Sequence, residues 1–378
     1  MVWKGWKGEI ILYNEKLLKR EEKAIFSLRS LYKQYGYLPF KMSKFEEYDL
    51  YVRNKDFLIG DNFITFNDTN GKLLALKPDV TLSIIKNTVD EEGCKQKVYY
   101  NENVYRVSSG THQFKEIMQT GLECIGDIDV FDIFEVVYLA AKSLDTISSD
   151  FVLDISHIGV FSAVLDEASD NKLFKKEAAR LVSEKNSHEL HVLCDKYQIS
   201  PDKEKQIEAF VGIYGNMREV ISRLSEICIT DKEREALSEF TVLCELLSAT
   251  EFADKIRVDF SVINNMAYYN GIVFKGFLNG ICESVLSGGC YDPLMRRIGR
   301  KSSAIGFAIY VDLLENFESS SESFDVDVLL LYSEKTDSAR ILKAKSAIVS
   351  EGKSVSSQRC IPAKLRYKTV IDLDKEEI

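Results

Sequence analysis

The sequence predicts an α+β protein: an antiparallel sheet flanked by helices, with an all-α insertion and a small C-terminal α/β module. Three observations carry this expectation. Apolar strand-like runs follow one another across short polar turns, which makes neighbouring strands antiparallel. From about 159 to 253 such runs become scarce, and long helical patterns dense in Lys and Glu replace them. Beyond a Ser-rich linker at Glu318–Ser323, a short tail carries two apolar runs around a Lys/Ala-rich helical pattern. The expected organisation is a main domain over 1–318, interrupted at about 159–253, then a module over 324–378.

The first helix is expected over Glu15–Tyr35, where Leu17, Leu18, Ala24, Ile25, Leu28, Leu31 and Tyr32 recur at helical spacing and Gly36 supplies a C-terminal cap. The next stretch, YLPFKMSKFEEYDLY, reads as extended. FITFNDTNGKLLAL reads as a hairpin turning at Asn70-Gly71. Pro78 to Thr81 opens a helix, because Asp and Thr side chains accept from exposed N–H groups. KVYYNENVYRV and KEIMQTGLECIG are two strands across a polar loop, Ser108–Gln113. A helix over Asp129–Ser148 and the strand FVLDI precede the insertion. Strands return at IRVDFSV, AYYNGIVFKGFL and CESVLSGG, and SSAIGFAIYVDLLENF is expected to be a closing helix. In the tail, VDVLLLYS and KTVIDLD flank one helix.

Composition narrows the function. The 378 residues hold 49 Lys+Arg against 59 Asp+Glu, a net charge of −10, and 45% are hydrophobic. This is a globular composition, and its acidity argues against non-specific nucleic-acid binding, which needs excess cations. No apolar run is long enough to span a membrane, and the first residues lack the pattern of a secretion signal, so a cytoplasmic setting is expected. The eight cysteines are scattered without CxxC spacing, which predicts neither a disulfide scaffold nor a zinc site. His188 and His191 are only three apart and read as surface histidines; His157 reads as structural, and His112 as a loop residue within reach of a ligand. Arg296, Arg297, Arg300 and Lys301 read as a solvated surface or a subunit contact.

Four segments place short polar residues inside apolar strands: LALKPDVT, IMQTGLECIG, NNMAYYNGIVF and LSGGCYD. Gln119, Gly121 and Glu123 alternate and so share one face of a strand, where Gly121 leaves room for a ligand. A glutamate buried there is costly without a cation or donors. Asp79 and Glu123, Thr81, Gln119 and the hydroxyls of Tyr268, Tyr269 and Tyr291 would form a pocket for a small cationic ligand with a planar ring. The residues equally allow Asp79 and Thr81 to be a helix cap, Glu123 to meet a structural cation, and the tyrosines to pack.

The same segments, with VYRV and IGFAIYVDLL, occur in the order of the class II aminoacyl-tRNA synthetase fold in its histidyl branch. The chain most resembles the synthetase-like regulatory subunits of ATP phosphoribosyltransferase, and DISHIGVF is similar to a Gly-His-X-Gly segment of that family. The similarity runs from about Tyr13 to Phe317. It implies a class II synthetase-like domain and a histidine site at Asp79, Thr81, Arg106, Gln119, Glu123, Tyr268, Tyr269 and Tyr291. It also implies a dimer that joins a short-form catalytic subunit in a hetero-octamer, and a part in feedback inhibition by histidine. No cofactor, metal, nucleic acid or membrane partner is implied.

Departures from the synthetase pattern point away from catalysis. Ser108 replaces the glutamate of Phe-Arg-X-Glu, although Arg106 is kept. Asn264 stands where an arginine precedes the Tyr-Tyr pair, Leu313 where the closing segment carries an ATP-binding arginine, and Cys290 in place of arginine in Gly-Gly-Arg-Tyr-Asp. Leucine donates nothing to a phosphate, and losing one transition-state donor costs ~3 kcal/mol. The tail after the linker is also shorter than an anticodon-binding domain. Lys77 before Pro78 and Ser43 after Pro39 depart in lesser ways. The expectation is a non-enzymatic regulatory subunit; the alternatives are a histidyl-tRNA synthetase with degenerate motifs and a free-standing histidine-binding paralogue.

Overall fold

A computed structural model describes residues 18–55, 63–89, 93–107, 113–263, 268–314 and 324–375. Ser108, His112, Asn264 and the Ser-rich linker lie outside them. The chain divides into two compact units, Met1–Glu315 and Asn316–Ile378.

The larger unit opens with helix α1 (Arg20–Gln34), which buries Ala24, Leu28, Leu31 and Tyr32 on one stripe. Gly36 follows at φ +83°, the left-handed conformation that ends helices. The stretch expected to be extended instead forms two short strands, β1 (Leu38–Pro39) and β2 (Phe45–Glu47), and a helix, α2 (Tyr48–Arg53). The Asn-Gly hairpin is β3 (Thr65–Asn67) and β4 (Leu73–Leu76), with Asn67 opposite Leu73. Helix α3 (Thr81–Asn87) follows. The long hairpin β5 (Lys95–Val107) and β6 (Phe114–Gly126) pairs along its whole length. Helix α4 (Val130–Ile147) is capped by Asp129, which accepts from the backbone of Phe131 and Asp132.

After strand β7 (Phe151–His157) come six helices, α5 (Ile158–Ala168), α6 (Lys172–Ser183), α7 (Ser187–Lys196), α8 (Pro201–Ala209), α9 (Met217–Ile227) and α10 (Asp231–Ser248). One departure from an all-α segment is the two-residue strand β8 (Tyr214–Gly215), which pairs at the sheet margin with β9 (Ile256–Asp259). Strands β10 (Ile272–Leu278) and β11 (Leu286–Cys290) lead into helix α11 (Asp292–Arg297).

The expected closing helix is a strand. β12 (Ser303–Tyr310) lies between β6 and β11 in the middle of the sheet, and only Val311–Leu314 forms a short 3₁₀ turn. Its residues are buried on both faces, so the run lacks the alternation that marks a half-exposed strand and reads like a buried helix.

The main sheet runs β1-β5-β6-β12-β11-β10-β7-β9-β8. It is mixed rather than purely antiparallel: β1 with β5 and β7 with β9 are parallel, and the intervening pairs are antiparallel. Helices α1 and α4 cover one face. The opposite face is closed by α3, α11 and the small sheet β2-β4-β3, around Tyr51, Val80, Ile84, Tyr100 and Tyr291.

The smaller unit is a parallel sheet, β14-β13-β15, built from β13 (Val326–Leu331), β14 (Val355–Gln358) and β15 (Tyr367–Asp372), with helix α12 (Ser338–Ser350). The strand β14 is additional to the two expected there. Val328, Leu330, Ala344, Ile348 and Leu373 form its core.

Candidate functional site

A cavity of about 420 Å³ opens on the sheet face away from α1 and α4. Strand alternation builds its floor. Glu123 on β6 sits opposite Gly306 on β12, and two residues further along Gly121 sits opposite Ala308 and then Ser287. Helix α3 supplies a wall by presenting Asp79 and Thr81 at its start. All eight residues expected to form the site line this cavity: Asp79, Thr81, Arg106, Gln119, Glu123, Tyr268, Tyr269 and Tyr291.

Glu123 is the chemical centre. It is 2% exposed and meets donors rather than a cation. The Tyr291 hydroxyl donates to Oε2 at 2.6 Å and the Thr81 hydroxyl to Oε1 at 3.2 Å. Burial pushes its pKa up to about 8, against the opposing pull of those two donors. The carboxyl is therefore poised to share a proton with a basic ring, because its charged form is weakly stabilised until a positive partner arrives.

Asp79 caps a helix and also lines the cavity. Its Oδ1 accepts from the backbone N–H of Leu82 at 3.0 Å, capping α3, while the side chain also faces the cavity. Burial raises its pKa, opposed by the Leu82 N–H and by Arg106. Arg106 is anchored by Nε donating to the carbonyl of Pro78 at 2.9 Å. The rings of Tyr268 and Tyr269 meet edge to face at 4.6 Å, and Tyr268 lies 6.1 Å from Tyr291. Together they offer flat aromatic surface beside a hydrogen-bonding carboxyl, which suits a planar cationic ring.

Several expectations are corrected. The room beside Gly121 serves the protein itself, since a Cβ there would lie 2.7 Å from the Tyr100 hydroxyl and 2.1 Å from the carbonyl of Phe307. Cys290 does not face this cavity; it lines a second one, about 600 Å³, with His157 and Asp292. Arg300 is not a free surface cation, because its guanidinium donates to the carbonyl of Ile85 at 3.3 Å and to that of Thr88, at the end of α3. His157, by contrast, is structural as expected: it caps α5 by accepting from Val160, and burial lowers its pKa to about 4.

The site also holds residues that sequence reasoning did not select. Tyr310 lines it, hidden by the reading of β12 as a helix. Lys275, Ser284 and Ser287 line it too. Lys275 carried a usable signal, a lone charge inside the apolar run IVFKGFL, the same signal that drew attention to Glu123. Among the described residues, the one cluster with metal-ligand atoms in mutual reach is His191, Asp195 and Glu204, elsewhere on the exposed insertion. The cavity itself offers carboxyls, hydroxyls and cations suited to an organic zwitterion.

A family model described as histidyl-tRNA synthetase matches residues 13–314. The ATP phosphoribosyltransferase regulatory subunit of Oceanobacillus iheyensis is 28% identical over 305 residues, spanning 80% of this chain and 75% of that protein. An ATP phosphoribosyltransferase regulatory subunit/histidyl-tRNA synthetase from Bacillus halodurans shares the fold with a TM-score of 0.73 at 23% identity, covering 93% of each chain. A chain of the ATP phosphoribosyl transferase (HisG:HisZ) complex from Thermotoga maritima does so with a TM-score of 0.60 at 18% identity, covering 76% of this chain and 96% of that one.

Proposed function

Because the chain belongs to the histidyl-tRNA synthetase family, we propose that it has kept the amino-acid pocket of that family without its chemistry, as a regulatory subunit of ATP phosphoribosyltransferase. The observation that carries this reading is the asymmetry of the site. The amino-acid end is complete, with Glu123 held between Thr81 and Tyr291 beside Asp79, Gln119 and two further tyrosines. For the nucleotide end, the resemblance puts an ATP-binding arginine at the position of Leu313, which lies in the 3₁₀ turn after β12. A synthetase must hold phosphates with placed cations as charge develops, and leucine cannot. The names of the curated relatives support the same assignment.

The ligand is free histidine. Its ammonium lies near Asp79, Thr81 and Gln119, and its imidazole near Glu123 and the tyrosines. The chain assembles as a dimer with short-form catalytic subunits, in a hetero-octamer in the cytoplasm, and takes part in feedback inhibition. A histidine that binds one conformation of that assembly better than another shifts the population by its differential affinity. No helix among the described residues is long and apolar enough to cross a membrane.

Calorimetric titration of histidine into the protein, with Glu123→Ala beside it, tests the pocket. Binding lost in the variant supports it, and equal binding in both refutes it. An active synthetase with degenerate motifs is the competing reading, favoured by the retained Arg106. ATP–pyrophosphate exchange in the presence of histidine would establish that reading, and no exchange is expected here.

A further inference from the structure

Lys275 stands in the middle of β10, between Phe274 and Gly276. The strand turns Gly276 toward α4, where a Cβ would press on Leu144, and so turns Lys275 to the other face, into the cavity. Its side chain is half-buried. Among the described residues no carboxylate forms an ion pair with its ammonium. Burial lowers its pKa, and no charged group offsets that shift.

The nearest acid by register is Asp154, directly across the β7–β10 pair. No ion pair joins the two. The field at Asp154 comes from Asp259, Lys185 and Arg257 on the other side of β7, and Oδ1 of Asp154 is itself buried without a partner. The other cation lining the cavity, Arg106, is tied to the Pro78 carbonyl and faces Asp79 and Tyr310. Lys275 is thus an uncompensated positive charge at the end of the cavity away from Glu123. Between the two, small residues that line the cavity keep its floor open: Ser287 on β11 and Ala308 on β12 continue the row that begins at Lys275. A buried ammonium with no counter-charge is costly to hold, and an incoming anion relieves that cost.

We propose that Lys275 binds the α-carboxylate of the amino acid in this cavity and makes the site selective for free amino acids over their carboxylate-free analogues. The inference rests on the histidine reading above and adds the third point of attachment. Asp79 takes the ammonium, Glu123 the ring, and Lys275 the carboxylate. The arrangement selects an unactivated amino acid, because esterification removes the charge that Lys275 needs.

The test is calorimetric titration of histidine and of histidinol, which lacks the carboxylate, into wild type, Lys275→Met and Lys275→Arg. Wild type is expected to prefer histidine by about tenfold or more, the scale of one charge-assisted hydrogen bond. Lys275→Met is expected to bring the two ligands within about threefold by weakening histidine alone, and Lys275→Arg to keep most of the preference. Ligand-free Lys275→Met should melt no lower than wild type, since it removes an unpaired half-buried charge, which also shows that the variant folds. A preference unchanged in Lys275→Met overturns the proposal, as does an equal loss of both ligands, which would make Lys275 a shaping residue. If wild type binds neither ligand, the histidine reading itself falls, and this inference with it.

Discussion

A Cβ atom added to Gly306 would stand 1.7 Å from Oε2 of Glu123. The two residues face each other across the β6–β12 pair, so the glutamate lies over a position where only hydrogen fits. Gly306→Ala must displace either the carboxyl or the strand, because the carbonyl of Leu122 also crowds the site at 2.5 Å. The variant is expected to lose ~1–3 kcal/mol of stability, the usual range for overpacking a core. It should also lose measurable histidine binding. Thermal unfolding and titration together check this, and wild-type behaviour in both would contradict the placement of Glu123.

Glu123 also gives the protein a pH signature. Its pKa lies near 8 in the fold against an ordinary value of 4.5, so the folded state retains a proton that the unfolded chain releases. Stability from this group is fully present below about pH 4.5 and is lost as pH rises through about 8. Glu123→Gln removes the titration while keeping the shape. The stability of the variant relative to wild type should therefore grow between pH 5 and pH 8, by at most ~1.4 kcal/mol per pH unit, and level off above. His157 titrates in both proteins and cancels. A gap that stays constant with pH would show that Glu123 is ionised throughout.

Tyr291→Phe removes the shorter of the two hydrogen bonds to Glu123 and leaves a buried acceptor short of a donor. Denaturant unfolding should show a loss of ~1–3 kcal/mol. Histidine affinity should fall as well, because the carboxyl becomes harder to ionise and is no longer aimed. Thr81→Val, which removes the longer bond, should do less in both measurements.

Beneath the site, Lys77 is fully buried and donates to Glu102 at 2.9 Å. This lysine stands where the synthetase pattern has arginine, and its aim at Glu102 makes it part of the support for α3. Burial lowers its pKa, with Glu102 working against that shift. Glu102→Ala would strand the ammonium and is expected to cost ~3–5 kcal/mol, whereas Lys77→Met with Glu102→Gln should cost much less. Equal losses in the single and double variants would mean that the pair is not coupled.

The parts of the fold that were legible in the sequence are those whose burial is one-sided. Helices α1 and α4 each show one apolar face and a recognisable cap, the β5–β6 hairpin shows two strand-like runs across a polar loop although β6 is buried on both faces from Gln119 to Gly126, and seven of the eight site residues stood out as polar groups in apolar contexts, Arg106 coming only from the resemblance. Strand β12 was not legible as a strand, since being buried on both faces erases the period, and Tyr310 was lost with it. Helix α2 is only six residues long and follows polar, extended chain. Strand β14, Val355–Gln358, is a half-exposed polar margin of its sheet with little to mark it. Lys275 needed the register of β10, because only the sheet tells which face a lone charge occupies.

The regulatory role is tested most directly by phosphoribosyl-ATP formation by a short-form ATP phosphoribosyltransferase catalytic subunit, with and without this protein and with histidine added. Formation should rise when the protein is present, and histidine should suppress that rise in wild type but much less in Glu123→Ala. Formation that is unchanged by adding the protein would contradict the regulatory assignment.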